Sequence, residues 1–128
     1  RVGGIAIRQV AARLRVSRDE EHVEVQLRSG GRVWVLAPRA HHYTLLTLAR
    51  ARLADTSDGL HDEDAGWVDR QLLLQDLGIR ENLLYTHLFR ARREVARLGI
   101  VDADALIQRR LGSGQLRLGI RDLAVERL

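Results

Sequence analysis

Apolar residues alternate with polar ones over residues 12–16, 22–28 and 32–36. They recur every three or four positions between Pro38 and Leu98, and a second strand-like stretch follows at 106–118. Alternation with period two marks a strand buried on one face, and a period near 3.6 marks an amphipathic helix. Strands, then helices, then strands in one chain of 128 residues predict a single α+β domain with one core. Val23, Val25 and Leu27 share a strand face opposite Glu24 and Gln26. Ser29-Gly30-Gly31 is a hairpin turn, and Val33 and Val35 carry the return strand. Residues 4–7 offer a fourth strand to this antiparallel sheet.

Three helices are expected next. Pro38 suits a helical first turn, and Leu45, Leu46, Ala49 and Leu53 give the first helix its apolar stripe. An acidic loop at 55–65 follows, too polar for a core. Asp69 is the expected N-cap of the second helix, which Gly78 stops. Asn82 is the expected cap of a third helix running to Leu98, with Gly99 beyond it. The turn between these two helices has only a few residues, as in a helix-turn-helix. Strands at 106–110 and 115–118, joined by Gly112-Ser113-Gly114, place a β-hairpin directly after the third helix. Sheet, three helices and hairpin in this order predict a winged helix-turn-helix over 12–121, with an extension or linker at 1–11 and a tail at 122–128.

Charge points to the partner. All 21 cationic residues are Arg. Arg abundance alone is weak evidence when Lys is wholly replaced, so distribution carries the argument. Residues 1–52 hold ten Arg and four acids, a charge of +6; residues 53–79 hold one Arg and seven acids, −6; residues 80–121 hold nine Arg and four acids, +5. On the third helix Leu84, Leu88, Ala91, Val95 and Leu98 form a core stripe. Asn82, Thr86, Arg93 and Arg97 lie opposite, with Arg90 close by. A helix fits one major groove, and Arg reads guanine there through its N7 and O6 acceptors. Arg109, Arg110 and Arg117 surround the Ser113 tip of the hairpin, from which Arg can reach a minor groove or phosphate. These nine residues are the candidate DNA contacts. Tyr85 and Phe89, on the flank of the third helix, are expected to pack against the hairpin or sheet, and Trp34 and Trp67 at the core or its edge.

Other chemistry finds little footing. There is no Cys, which removes disulfides and thiolate sites. No nucleophile elbow, phosphate loop or catalytic carboxylate pair is present. Adjacent His41 and His42 are read as unable to face one way on a helix, with no third ligand at metal-site spacing; His61, Asp62, Glu63 and Asp64 read as a solvated acidic loop. The expectation is a protein without enzymatic activity or cofactor. No apolar run approaches the roughly 20 residues of a bilayer span, and a cytoplasmic location is expected. A chain opening on Arg1 and lacking Met is expected to be a segment of a longer protein.

The run Tyr85-Thr86-His87-Leu88-Phe89-Arg90-Ala91-Arg92-Arg93-Glu94-Val95 resembles the recognition helix of OmpR/PhoB-type response-regulator effector domains, with His87, Leu88, Arg90, Arg92 and Arg93 matching in place. His42-Tyr43-Thr44-Leu45-Leu46 resembles that family's first-helix motif, with His42 replacing its acid, and Gly112-Ser113-Gly114 resembles its wing turn. The resemblance covers about residues 12–120. The wing aligns only with a one-residue shift, leaving open whether Arg109 or Arg110 takes the DNA-facing place. Residues 17–23, 40–43 and 66–68 are closer to the winged-helix tails behind bacterial forkhead-associated domains, which bind phosphothreonine. The resemblance implies a bacterial transcription regulator's output domain that binds double-stranded DNA. It also implies RNA polymerase, a regulatory N-terminal domain or a second copy of the chain as further partners. The alternative is a winged helix that binds protein instead of DNA, favoured by the acidic loop, Phe89 and the short inter-helix turn.

Overall fold

A computed structural model describes residues 4–128. Among these residues are seven strands in two sheets and three α-helices. The strands are β1 (Ala11–Val16), β2 (Val23–Ser29), β3 (Arg32–Leu36), β4 (Val68–Asp69), β5 (Ile107–Arg110), β6 (Gln115–Leu118) and β7 (Asp122–Arg127); the helices are α1 (His42–Ser57), α2 (Arg70–Leu77) and α3 (Glu81–Ala96). The larger sheet has the order β3-β2-β1-β7 and the smaller β4-β6-β5. The architecture is the expected α+β, winged-helix-like one: a sheet, three helices and a hairpin wing made of β5 and β6.

The strand pattern becomes the core directly. Ala12, Leu14 and Val16 on β1 and Val23, Val25 and Leu27 on β2 are all buried on one face. They meet Leu45, Leu46, Leu48 and Ala49 of α1, the Leu84, Leu88, Ala91 and Val95 stripe of α3, Leu106 just before the wing, and Leu116 and Leu118 on it. Complete burial of a leucine-sized side chain contributes roughly 1.5–3 kcal/mol, so this layer dominates stability.

Several boundaries differ from the sequence reading. Residues 122–127 are not a tail: β7 pairs in parallel with β1, Leu14 facing Val125, so the larger sheet is antiparallel only among its first three strands. The segment 1–11 is no loose linker where it is described, because Ile7 and Val10 are buried in the core. In place of a fourth strand at 4–7 there is one bridge, Ile5 to Ile100, followed by a short 3₁₀ turn at Ile7–Gln9. Helix α1 begins four residues after Pro38 and runs to Ser57, taking the first three residues of the expected loop. Asp69 does cap α2, accepting from the Gln71 N–H at 2.8 Å, and left-handed Gly78 ends it. Arg80, not Asn82, is the capping position of α3. Two residues separate Gly78 from Glu81, and Glu81 in the first turn complements the helix dipole, so the helix starts before Asn82 is reached.

Candidate nucleic-acid interface

Helix α3 lies across the molecule with Leu84, Leu88, Ala91 and Val95 inward. That orientation leaves Asn82, Arg90, Arg93 and Arg97 exposed and Thr86 half-buried. The Thr86 hydroxyl donates to the Asn82 carbonyl at 3.0 Å, and Asn82 Oδ1 accepts from the Leu83 N–H at 3.0 Å. Both polar side chains are therefore locally engaged, whereas the guanidinium groups are not. Among the described residues, Arg90, Arg93 and Arg97 form no ion pair. Together with Arg39 and Phe89 they line an open groove beside the start of α1. Arg39, absent from the sequence candidates, is brought there by the turn after Pro38.

The hairpin register settles which wing arginine faces α3. Arg109 stands opposite Leu116 and Ile107 opposite Leu118, and residues directly across a hairpin share a face. Ile107, Leu116 and Leu118 are buried, so Arg109 projects from the core side of the wing. Its guanidinium sits 5.7 Å from the Tyr85 ring of α3. The Tyr85 hydroxyl accepts from Arg70 at 2.7 Å. Arg70, Tyr85 and Arg109 thus link the start of α2, helix α3 and the wing into one basic surface. Beneath them Arg92 donates to the Ile107 carbonyl at 3.3 Å. Burial, reinforced by Arg109, lowers the pKa of its guanidinium.

Arg110, Ser113 and Arg117 face other tasks. Arg110 and Arg117 lie over Trp67 at 4.7 and 4.4 Å from its ring centroid. Arg117 donates to Gln108 Oε1 at 2.6 Å and to the carbonyls of Asp62, Glu63 and Ala65 at 2.8, 3.2 and 3.1 Å. Arg110 donates to Gln115 at 3.2 Å and stands 3.8 Å from Asp64. The Ser113 hydroxyl closes the turn, donating to the Arg110 carbonyl at 2.8 Å and accepting from the Gln115 N–H at 3.1 Å. Arg117 is therefore a staple between wing and acidic segment, and Arg110 is partly drawn into the same assembly.

The acidic segment is exposed at residues 61–64, as expected, but it is tied to the body of the protein. Buried Arg52 donates to the Leu118 carbonyl at 2.6 Å and to Asp62 at 2.8 Å, and Asp62 also holds Arg121 at 2.9 Å. Ala65 and Gly66 are buried. Gly66 has φ +89°, and a Cβ there would stand 2.8 Å from the Arg52 Cβ, so the position admits only glycine without displacement. Arg52 falls three and four residues after Ala49 and Leu48, on the apolar stripe of α1; an arginine on such a stripe was the available sign of a buried ionic anchor.

Two further readings are corrected. Phe89 is 60 % exposed rather than packed on the wing or sheet, because the wing approaches α3 at Tyr85 and Arg92 instead. His41 and His42 do converge: their Nε2 atoms lie 2.9 and 2.8 Å from the same Glu94 oxygen. Successive residues at a helix start are about 100° apart, and a group arriving between them meets both. Trp34 is half-buried against the core, as expected, whereas half-buried Trp67 packs under Arg110 and Arg117 instead.

Comparison with protein-family models, with curated proteins and with solved structures finds no match for this chain. Among the described residues no helix is long and apolar enough to cross a membrane.

Proposed function

We propose that this chain binds double-stranded DNA sequence-specifically through α3 and the wing, as the output domain of a transcription regulator. The observation that carries the reading is the contrast in how the arginines are used. Arg52, Arg117 and Arg121 are tied to the acidic segment, whereas Arg90, Arg93 and Arg97 stand exposed together on one helix face. Exposed, uncompensated guanidinium groups on a convex helix match a phosphate-lined groove in charge and shape. In this reading α3 occupies the major groove, with Arg90 and Arg93 addressing base edges and Arg97 a phosphate. Arg39, Arg70 and Arg109 hold the flanking backbone. RNA polymerase, a preceding regulatory domain and a second copy of the chain remain partners of the same proposal, through surfaces away from α3.

The test is an anisotropy titration with random-sequence duplex DNA at two salt concentrations. Binding that weakens steeply with salt supports the reading; no binding at low salt, or salt-independent binding, overturns it. A protein-binding role has one specific observation in its favour: Phe89, exposed within the basic groove. Phe89→Ala separates the two, because loss of a protein contact leaves the salt-dependent affinity for duplex DNA intact.

A further inference from the structure

The start of α1 and the middle of α3 meet at three side chains that DNA binding leaves unused. His41 and His42 direct Nε2 at Glu94 Oε1 from 2.9 and 2.8 Å. Their rings meet edge to face, with centroids 4.7 Å apart and planes at 82°, so they approach the oxygen from different directions. The three polar atoms all lie within 4.8 Å of one another. His42 is fully buried and His41 nearly so, while Glu94 is half-buried.

Hydrogen positions decide what such a cluster holds. His42 Nδ1 lies 2.9 Å from the Val23 carbonyl oxygen. A carbonyl only accepts, so Nδ1 carries a hydrogen. With Nδ1 so occupied, His42 turns Nε2 toward a carboxylate oxygen that can only accept. That contact is attractive only with a cation between them, either a second proton on the ring or a metal ion. A histidine anchored through one nitrogen on a backbone carbonyl, with the other turned toward a carboxylate, is arranged as a metal ligand is.

We infer that His41, His42 and Glu94 form a binding site for a divalent transition metal ion of the zinc class, using both Nε2 atoms and Oε1. Zinc bonds of about 2.0–2.2 Å place tetrahedral ligand atoms roughly 3.4 Å apart. The 2.8 and 2.9 Å contacts need to open by about half an ångström to admit the ion, and the two imidazole nitrogens, within 4.8 Å of one another, to settle at the same spacing. Glu94 can yield that distance because it is a half-buried side chain at the edge of the groove. Two imidazoles and one carboxylate suit zinc, nickel or cobalt better than magnesium or calcium, which take all-oxygen shells. The fourth position opens on the groove lined by Arg39, Arg90, Arg93 and Arg97, where water or an anion completes the shell. The bound ion would tie the start of α1 to α3 independently of any DNA contact.

The test uses chelator-stripped protein titrated with Zn²⁺ by calorimetry and with Co²⁺ by visible absorption. The expected result is one saturable site, Co²⁺ d–d bands of low-symmetry four-coordination, and a melting temperature raised by Zn²⁺. Glu94→Gln and His41→Ala, each shown to be folded by circular dichroism, are expected to weaken binding by more than the roughly 10–100-fold that loss of an outer-shell partner costs. His61→Ala, remote from the cluster on the acidic segment, is expected to bind as the parent does. Absence of stoichiometric binding, or binding that survives both cluster substitutions, overturns the site and leaves a protonated hydrogen-bonded cluster.

Discussion

Arg109 and Arg117 stand on adjacent strands of one hairpin, yet side-chain alternation assigns them opposite tasks. Arg117 shares a face with Gln108, its partner in the register, and is consumed by three backbone carbonyls of the acidic segment. Hydrogen bonds from a charged donor contribute about 1.5–3 kcal/mol. Arg117→Ala is therefore expected to cost about 2 kcal/mol of stability while leaving the salt dependence of DNA binding unchanged, read from urea unfolding beside anisotropy titrations. A large loss of DNA affinity in the folded variant would return Arg117 to the interface. Asp62 offers a pH readout of the same region. Burial raises its pKa, but the Arg52 hydrogen bond and the surrounding arginines outweigh this and hold it below 3.8. A depressed carboxyl contributes stability above its unfolded pKa and loses it as pH falls through the folded one. Asp62→Asn is thus expected to narrow the difference in stability between neutral pH and pH below 3.8, measured as melting temperature against pH. Both arginines were legible as basic wing residues. Their division was not, because it depends on the strand register and on Trp67, neither of which charge composition encodes.

At the scale of elements, the parts written by local periodicity were readable and those written by distant pairing were not. β1, β2, β3 and α3 follow their apolar patterns to within a residue or two of the expected bounds. β7 has the same kind of pattern, Leu123 and Val125 two apart, but its partner is β1, more than a hundred residues earlier. No local signal names such a partner, and the segment reads as a tail. Its loss is expected to be costly: removal of 122–128 exposes the β1 edge and strips two partly buried side chains from the core rim. Each is worth up to about 1.5–3 kcal/mol, discounted for partial burial. Denaturant unfolding of the shortened chain should show a loss of about 2–4 kcal/mol; a loss under about 0.5 kcal/mol, the range of ordinary surface changes, would mean that β7 does not stay paired in solution. The convergence of His41 and His42 on Glu94 was illegible for the same reason, since it spans α1 and α3.

Across the whole molecule the charges separate by use. The acidic segment neutralises Arg52, Arg110 and Arg121. Arg13, Arg15 and Arg50 pair on the larger sheet and α1. Within the proposed contact, Arg39, Arg90, Arg93, Arg97 and Arg109 have no ion pair among the described residues, with Arg70 weakly held by Glu81 at 3.7 Å. The proposed DNA contact area thus contains about five or six guanidinium groups, and each phosphate neutralised contributes about −0.9 to the slope of log K against log salt. A wild-type slope of roughly −4.5 to −5.5 is expected. Within that sum the two classes of contact separate. Arg97, just past the end of α3, is positioned for phosphate, and Arg97→Ala should flatten the slope by about one unit and weaken all sequences alike. Arg90 and Arg93 lie nearer the middle of α3, three residues apart and on its exposed side. Arg90→Ala or Arg93→Ala should cost about 1–3 kcal/mol against a selected site and relax preference at one base position. Binding-site selection with each variant, followed by titration of the selected and a scrambled duplex over a salt series, reads both quantities. If all three variants select the same sequences with the parent's slope, α3 lies outside the DNA contact and its arginines are solvated surface.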